Sequence, residues 1–144
     1  MLSISVSQLH AFLVHFPIVL FPLAVIFELI GLYKSREDLR GLGWYFHIAT
    51  TVFVTGAIAT GILAKENLTG QQLRHIILEA HEVLALLFSI MIFALFLYRI
   101  ARRGKLNSQK IGLYQIFMFL ALIILFVTGH FGGMLVYQLG YGLP

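Results

Sequence analysis

Apolar residues run along the chain in four long stretches separated by short polar breaks: about Leu9 to Tyr33, Gly43 to Ala64, His75 to Ile100 and Ile111 to Tyr137. About 20 predominantly apolar residues cross a hydrocarbon layer roughly 30 Å thick. Each stretch therefore predicts a transmembrane helix, and together they predict an all-α, integral membrane, up-down four-helix bundle forming a single domain over residues 1–144. Four crossings consume most of the chain, so its function belongs to the bundle or to its rims. Pro17 and Pro22 predict a kinked first helix, tolerated in a membrane because neighbouring groups re-satisfy the freed carbonyls. Trp44 and Tyr45 mark the interface at the start of the second span. No internal repeat or low-complexity segment is legible.

Composition names the solvent. With 60% apolar and only 11% charged residues, the chain is far from the mix that keeps a domain in water, and lipid is its expected surrounding. The absence of cysteine excludes disulfides, thiolate zinc sites, iron–sulfur clusters and covalently attached c-type haem. Any metal must be held by histidine, carboxylate or backbone. The net charge of +4 is not a nucleic-acid signal, because the basic residues cluster beside the spans and form no aromatic-interleaved basic face. The first and third breaks hold Lys34, Arg36, Arg40, Arg99, Arg102, Arg103, Lys105 and Lys110, whereas the second holds Lys65 and Arg74 and the ends hold none. Lys and Arg flanking spans stay cytoplasmic, so both termini are expected on the non-cytoplasmic side. Met1 to His10 carries no Lys or Arg, so the first stretch is expected to remain in the mature protein rather than to be cleaved as a leader.

Ionisable groups inside spans are costly and functional by default, and here they gather at one end. Counting inward at about 1.5 Å per residue puts His15, His81 and His130 within the outer third of the membrane, one on each of spans one, three and four, with His10 and His75 just above. Isolated interfacial imidazoles, solvated or bonded to a carbonyl, are the preferred reading for His10 and His75. The matched depth of the other three instead points to a shared site. Small residues leave volume beside it, Gly56 within Thr55–Gly61 on span two and Gly129 and Gly133 around His130 on span four. Close helix contact explains such residues equally well. Neutral imidazole is the usual axial ligand of non-covalent haem. The candidate ligands for haem b, one or two groups, are therefore His15, His81 and His130, with His10 next, Gly56, Gly129 and Gly133 as walls, and Arg74 beside Lys65 for the propionates.

A rival chemistry begins span three. His75, Glu79 and Glu82 share a helix face and, with His81, could hold a divalent metal ion. Their alternative role is a charged helix start, since acids favour a helix N-terminus. At the other end Glu28 and His47 lie at similar depth, and a structural hydrogen bond between them is expected, because a carboxylate in lipid protonates or finds a partner.

The runs His10-Ala11-Phe12-Leu13-Val14-His15-Phe16-Pro17 and Gly129-His130-Phe131-Gly132-Gly133-Met134-Leu135-Val136-Tyr137 resemble the two signature motifs of the DUF2231 family, bacterial four-helix membrane domains. The likeness spans essentially the whole chain, departing at Ala11, where the family usually has Pro, and at Met134. The resemblance implies the bacterial cytoplasmic membrane as location. Relatives are fused to cytochrome c-like domains, which implies redox work at the outer face. The expected function is thus b-type, haem-binding electron transfer between a quinone and a periplasmic cytochrome c-like protein, in a homo-oligomer or as a subunit of a larger complex. The alternatives are a non-haem metal protein and a cofactor-free assembly subunit. No nucleophile paired with a base and no phosphate loop is present, so hydrolysis and phosphoryl transfer have no support.

Overall fold

A computed structural model describes residues 5–66, 68, 70, 75–102 and 108–141; Arg74, Arg103 and Lys105 lie outside them. The four apolar stretches form four helices, α1 (Val6–Tyr33), α2 (Glu37–Glu66), α3 (Ile76–Ala101) and α4 (Ser108–Tyr137). Each is long and apolar enough to cross a membrane.

Local chemistry fixes the ends. Ser5 and Gln8 form a reciprocal capping box that satisfies two otherwise orphaned N–H groups of α1. α1 then continues unbroken through Pro17 and Pro22 to Tyr33. Its exit is a tight reversal: Arg36 N–H donates to Gly31 O at 2.8 Å and Ser35 N–H to Leu32 O at 3.2 Å, with Ser35 in the left-handed region at φ 53°. Glu37 and Asp38 then occupy the first turn of α2, where carboxylates oppose the helix dipole. The charged break between spans one and two therefore shrinks to residues 34–36, and α2 begins six residues before Gly43. His75 caps α3, its Nδ1 accepting from Ile77 N–H at 3.3 Å.

The helices close a ring in which α1 packs on α2 and α4, and α3 on α2 and α4, leaving α1 and α3 on a diagonal. Phe21, Ala24, Val54, Ile92, Met118 and Ala121 fill the centre, with Phe21 and Phe88 edge-to-face at 5.6 Å across the diagonal. The outward faces are as apolar as the core: Val19, Val52, Ile90 and Ile116 are all more than half exposed. A lipid surrounding makes this favourable and removes the hydrophobic drive for helix association, leaving close packing and polar contacts to hold the bundle. At Gly43 the backbones of α1 and α2 come so near that an added Cβ would lie 3.0 Å from Ala24 O and Glu28 N.

Burial along the two helix pairs follows a shared spacing that residue identities do not display. An offset of 71 residues sets several buried positions of α1 and α2 against buried positions of α3 and α4: Pro17 against Phe88, Phe21 against Ile92, Ala24 against Leu95, Glu28 against Arg99, His47 against Met118, Thr50 against Ala121 and Val54 against Leu125. The residue types differ at every one of these positions. What repeats is the burial pattern of a helical hairpin, used twice in parallel orientation.

Candidate functional site

The repeat generates the site. His10 on α1 directs its Nδ1 at Ala57 O of α2 (3.0 Å), with Thr60 Oγ1 at 3.2 Å. Seventy-one residues later, His81 on α3 directs its Nδ1 at Thr128 O of α4 (3.0 Å). Each ring also lies on a glycine one turn beyond its carbonyl. A Cβ at Gly61 would stand 3.0 Å from His10 Cε1, and one at Gly132 would stand 3.1 Å from His81 Cε1. Neither position accommodates a methyl group unless the ring gives way.

These seats bring the imidazoles together across the diagonal, ring centroids 6.5 Å apart and planes at 88°. A carbonyl oxygen only accepts, so both rings donate from Nδ1 and carry the free lone pair on Nε2. No protein group among the described residues hydrogen-bonds either Nε2. Fixing the Nδ1–H on a carbonyl while Nε2 stays open is the arrangement that orients imidazole as a metal ligand.

The other predicted ligands lie elsewhere. His15 is exposed on the outside of the bundle and donates from Nδ1 to Ala11 O in its own helix at 2.6 Å. His130 is exposed too, its ring beside that of Phe131. His81 therefore meets His10, not His15 or His130. Gly56 and Gly129 lie at ordinary contact distance from Leu13 and Ile18, and Gly133 faces open space, so the ring seats use Gly61 and Gly132 instead. The rival set does not gather. His75 is engaged as a helix cap, and Glu82 pairs with Lys65 at 2.8 Å. No group of three or more His, Asp or Glu side chains among the described residues is arranged to hold a metal ion.

At the opposite end lies a charge cluster in which two members, Arg40 and Arg99, are residues read from sequence as span-flanking cations that set topology. Glu28, fully buried, has Arg99 Nη1 at 2.8 Å and Arg40 Nε at 3.6 Å. Arg40 also reaches Glu37 at 2.6 Å, so two acids face two guanidiniums. Arg99, at 3% exposure, lies between the rings of Trp44 (5.1 Å) and Tyr114 (5.9 Å) and donates to Arg40 O at 3.1 Å. His47 is not Glu28's partner: it donates from Nε2 to Ile92 O and accepts at Nδ1 from the Tyr114 hydroxyl, each at 3.3 Å. The carboxylate pairs with cations because a full opposite charge offsets its desolvation better than a neutral imidazole does. The only sequence signal for this pairing was the position of Arg99 and Arg40 within a turn or so of the apolar runs.

A family model described as a predicted membrane protein, DUF2231, matches residues 7–143. No curated protein and no solved structure matches the chain.

Proposed function

The chain belongs to the DUF2231 family of predicted membrane proteins, and from that premise we propose that it is a b-type haem protein in which His10 and His81 would hold the haem. The observation that carries this reading is the isolated imidazole pair. Two rings with anchored Nδ1 and open Nε2 lie edge-on with centroids 6.5 Å apart, and no group of three or more His, Asp or Glu forms among the described residues. A bare divalent ion bound there would lack most of its usual protein ligands. Haem iron brings its equatorial nitrogens and takes at most two from the protein.

Haem bound there would supply one-electron chemistry. The clustering of Lys34, Arg36 and Arg102 beside the Glu28 end supports a topology in which the histidine pair lies near the non-cytoplasmic face of a bacterial inner membrane. Such a protein would exchange electrons with a membrane quinone and a cytochrome c-like protein outside, as a homo-oligomer or a subunit of a complex.

The test is a reduced-minus-oxidised spectrum of protein purified in mild detergent from haem-supplied cells. A Soret band is expected, lost in His10→Ala and in His81→Ala and kept in His15→Ala and His130→Ala. A folded but colourless wild type, or a band that survives both of the first two substitutions, overturns the reading.

A further inference from the structure

The two histidine seats match in outline, yet one holds its ring by more. His10 Nδ1 lies 3.0 Å from Ala57 O and 3.2 Å from Thr60 Oγ1. His81 Nδ1 has a single such oxygen, Thr128 O at 3.0 Å. The position 71 residues on from Thr60 is Phe131, which carries no side-chain acceptor and whose ring lies beside His130.

Thr60 is buried, and its hydroxyl donates to Gly56 O one turn back at 2.8 Å, with Ala57 O at 3.2 Å. Back-bonding of this kind is how a threonine satisfies itself in an apolar helix. Thr50, Thr51 and Thr55 do the same on α2. Thr60 differs in what its oxygen meets next. A hydroxyl has one hydrogen and two lone pairs. With the hydrogen committed inside α2, the lone pairs are left to accept from His10 Nδ1–H, which therefore forks between Ala57 O and Thr60 Oγ1.

We propose that Thr60 is a positioning residue for His10: its oxygen is a second acceptor that fixes the direction of the ring and hence of the open Nε2. Since the other hairpin has no equivalent, His10 is the more firmly held of the two imidazoles. The placement concerns the chain alone, and one consequence rests on the haem reading above. An imidazole whose N–H donates more strongly is a more basic ligand, and a stronger donor favours oxidised iron over reduced. Losing the Thr60 acceptor should therefore raise the midpoint potential.

The test is hydrogen exchange at His10 Nδ1–H, followed by NMR of the whole chain in mild detergent with nitrogen-15 histidine. Dithionite keeps any bound haem diamagnetic, and His10→Ala identifies the resonance by its loss. Exchange should quicken roughly tenfold, the worth of about one hydrogen bond, in Thr60→Val, which keeps the shape without the hydroxyl, and in Thr60→Ala. It should stay at the wild-type rate in Thr60→Ser, which keeps the oxygen. The same holds for Thr51→Val, which removes a buried hydroxyl bonded within its own helix. Wild-type exchange in both Thr60→Val and Thr60→Ala, or equal quickening in Thr51→Val, overturns the proposal. With haem bound, the midpoint potential should rise in Thr60→Val and return in Thr60→Ser, and a potential unmoved by Thr60→Val overturns the redox consequence. The exchange measurement needs no haem, so a colourless wild type sinks the haem reading and leaves the role of Thr60 to be decided by exchange.

Discussion

At the scale of single residues, the histidines show how depth and direction differ as information. Each helical residue advances about 1.5 Å and turns about 100°. His15 is five residues beyond His10 and points about 140° away from it round the helix. His130 lies midway between Thr128 and Gly132, whose backbones form the seat for His81, and so faces away from it. Counting depth alone singled out the end of the bundle at which His10 and His81 meet and, in His15 and His130, two side chains on its outer surface. The seats themselves are sensitive: Gly132→Ala should destabilise the fold by about 1–2 kcal/mol through overpacking and displace the His81 ring, read by thermal unfolding in detergent. Charge matters more at the other end. Glu28→Met leaves Arg99 facing an apolar core and should cost about 3–5 kcal/mol. The double variant Glu28→Met with Arg99→Met should be clearly more stable than Glu28→Met alone, and an equal or lower unfolding midpoint would show that the pair is not coupled.

At the scale of elements, the connections carry the conformational cost. Ser35 holds φ 53° in the reversal between α1 and α2, a conformation glycine adopts without penalty. Ser35→Gly should therefore raise stability by about 0.5–1 kcal/mol, the relief of strain outweighing the added unfolded-state freedom. A midpoint that falls would indicate that the serine makes contacts the backbone angles do not reveal. Gly31 behaves oppositely. A Cβ there would come within 2.9 Å of Arg36 O and 2.8 Å of Arg40 N, both backbone atoms. Gly31→Ala should accordingly cost about 1–3 kcal/mol, because backbone cannot swing aside as a side chain can.

At the scale of the whole molecule, positions 28 and 99 are equivalent by the repeat and face each other across the diagonal. Exchanging them, Glu28→Arg with Arg99→Glu, should therefore preserve the pairing. Arg40 approaches position 28 and not its equivalent, so the exchange should recover only part of the stability lost in either single variant. A double variant no more stable than the singles would show that the two hairpins are not interchangeable in this way.

The span count and helical class follow from sequence, because twenty-odd apolar residues in a row have one low-energy answer in lipid. The end of the bundle that carries the histidines follows too, since depth is linear in residue number. Which imidazoles meet, which cations turn inward to Glu28, and the hairpin used twice were settled by tertiary packing. The physical reason is that membrane helices are apolar on every side, so no polar stripe in the sequence marks which face of α1 or α3 turns inward. The shared spacing is faint in the sequence because residue type is kept at few positions, such as His10 with His81 and Gly61 with Gly132, while Phe21 answers Ile92 and Glu28 answers Arg99.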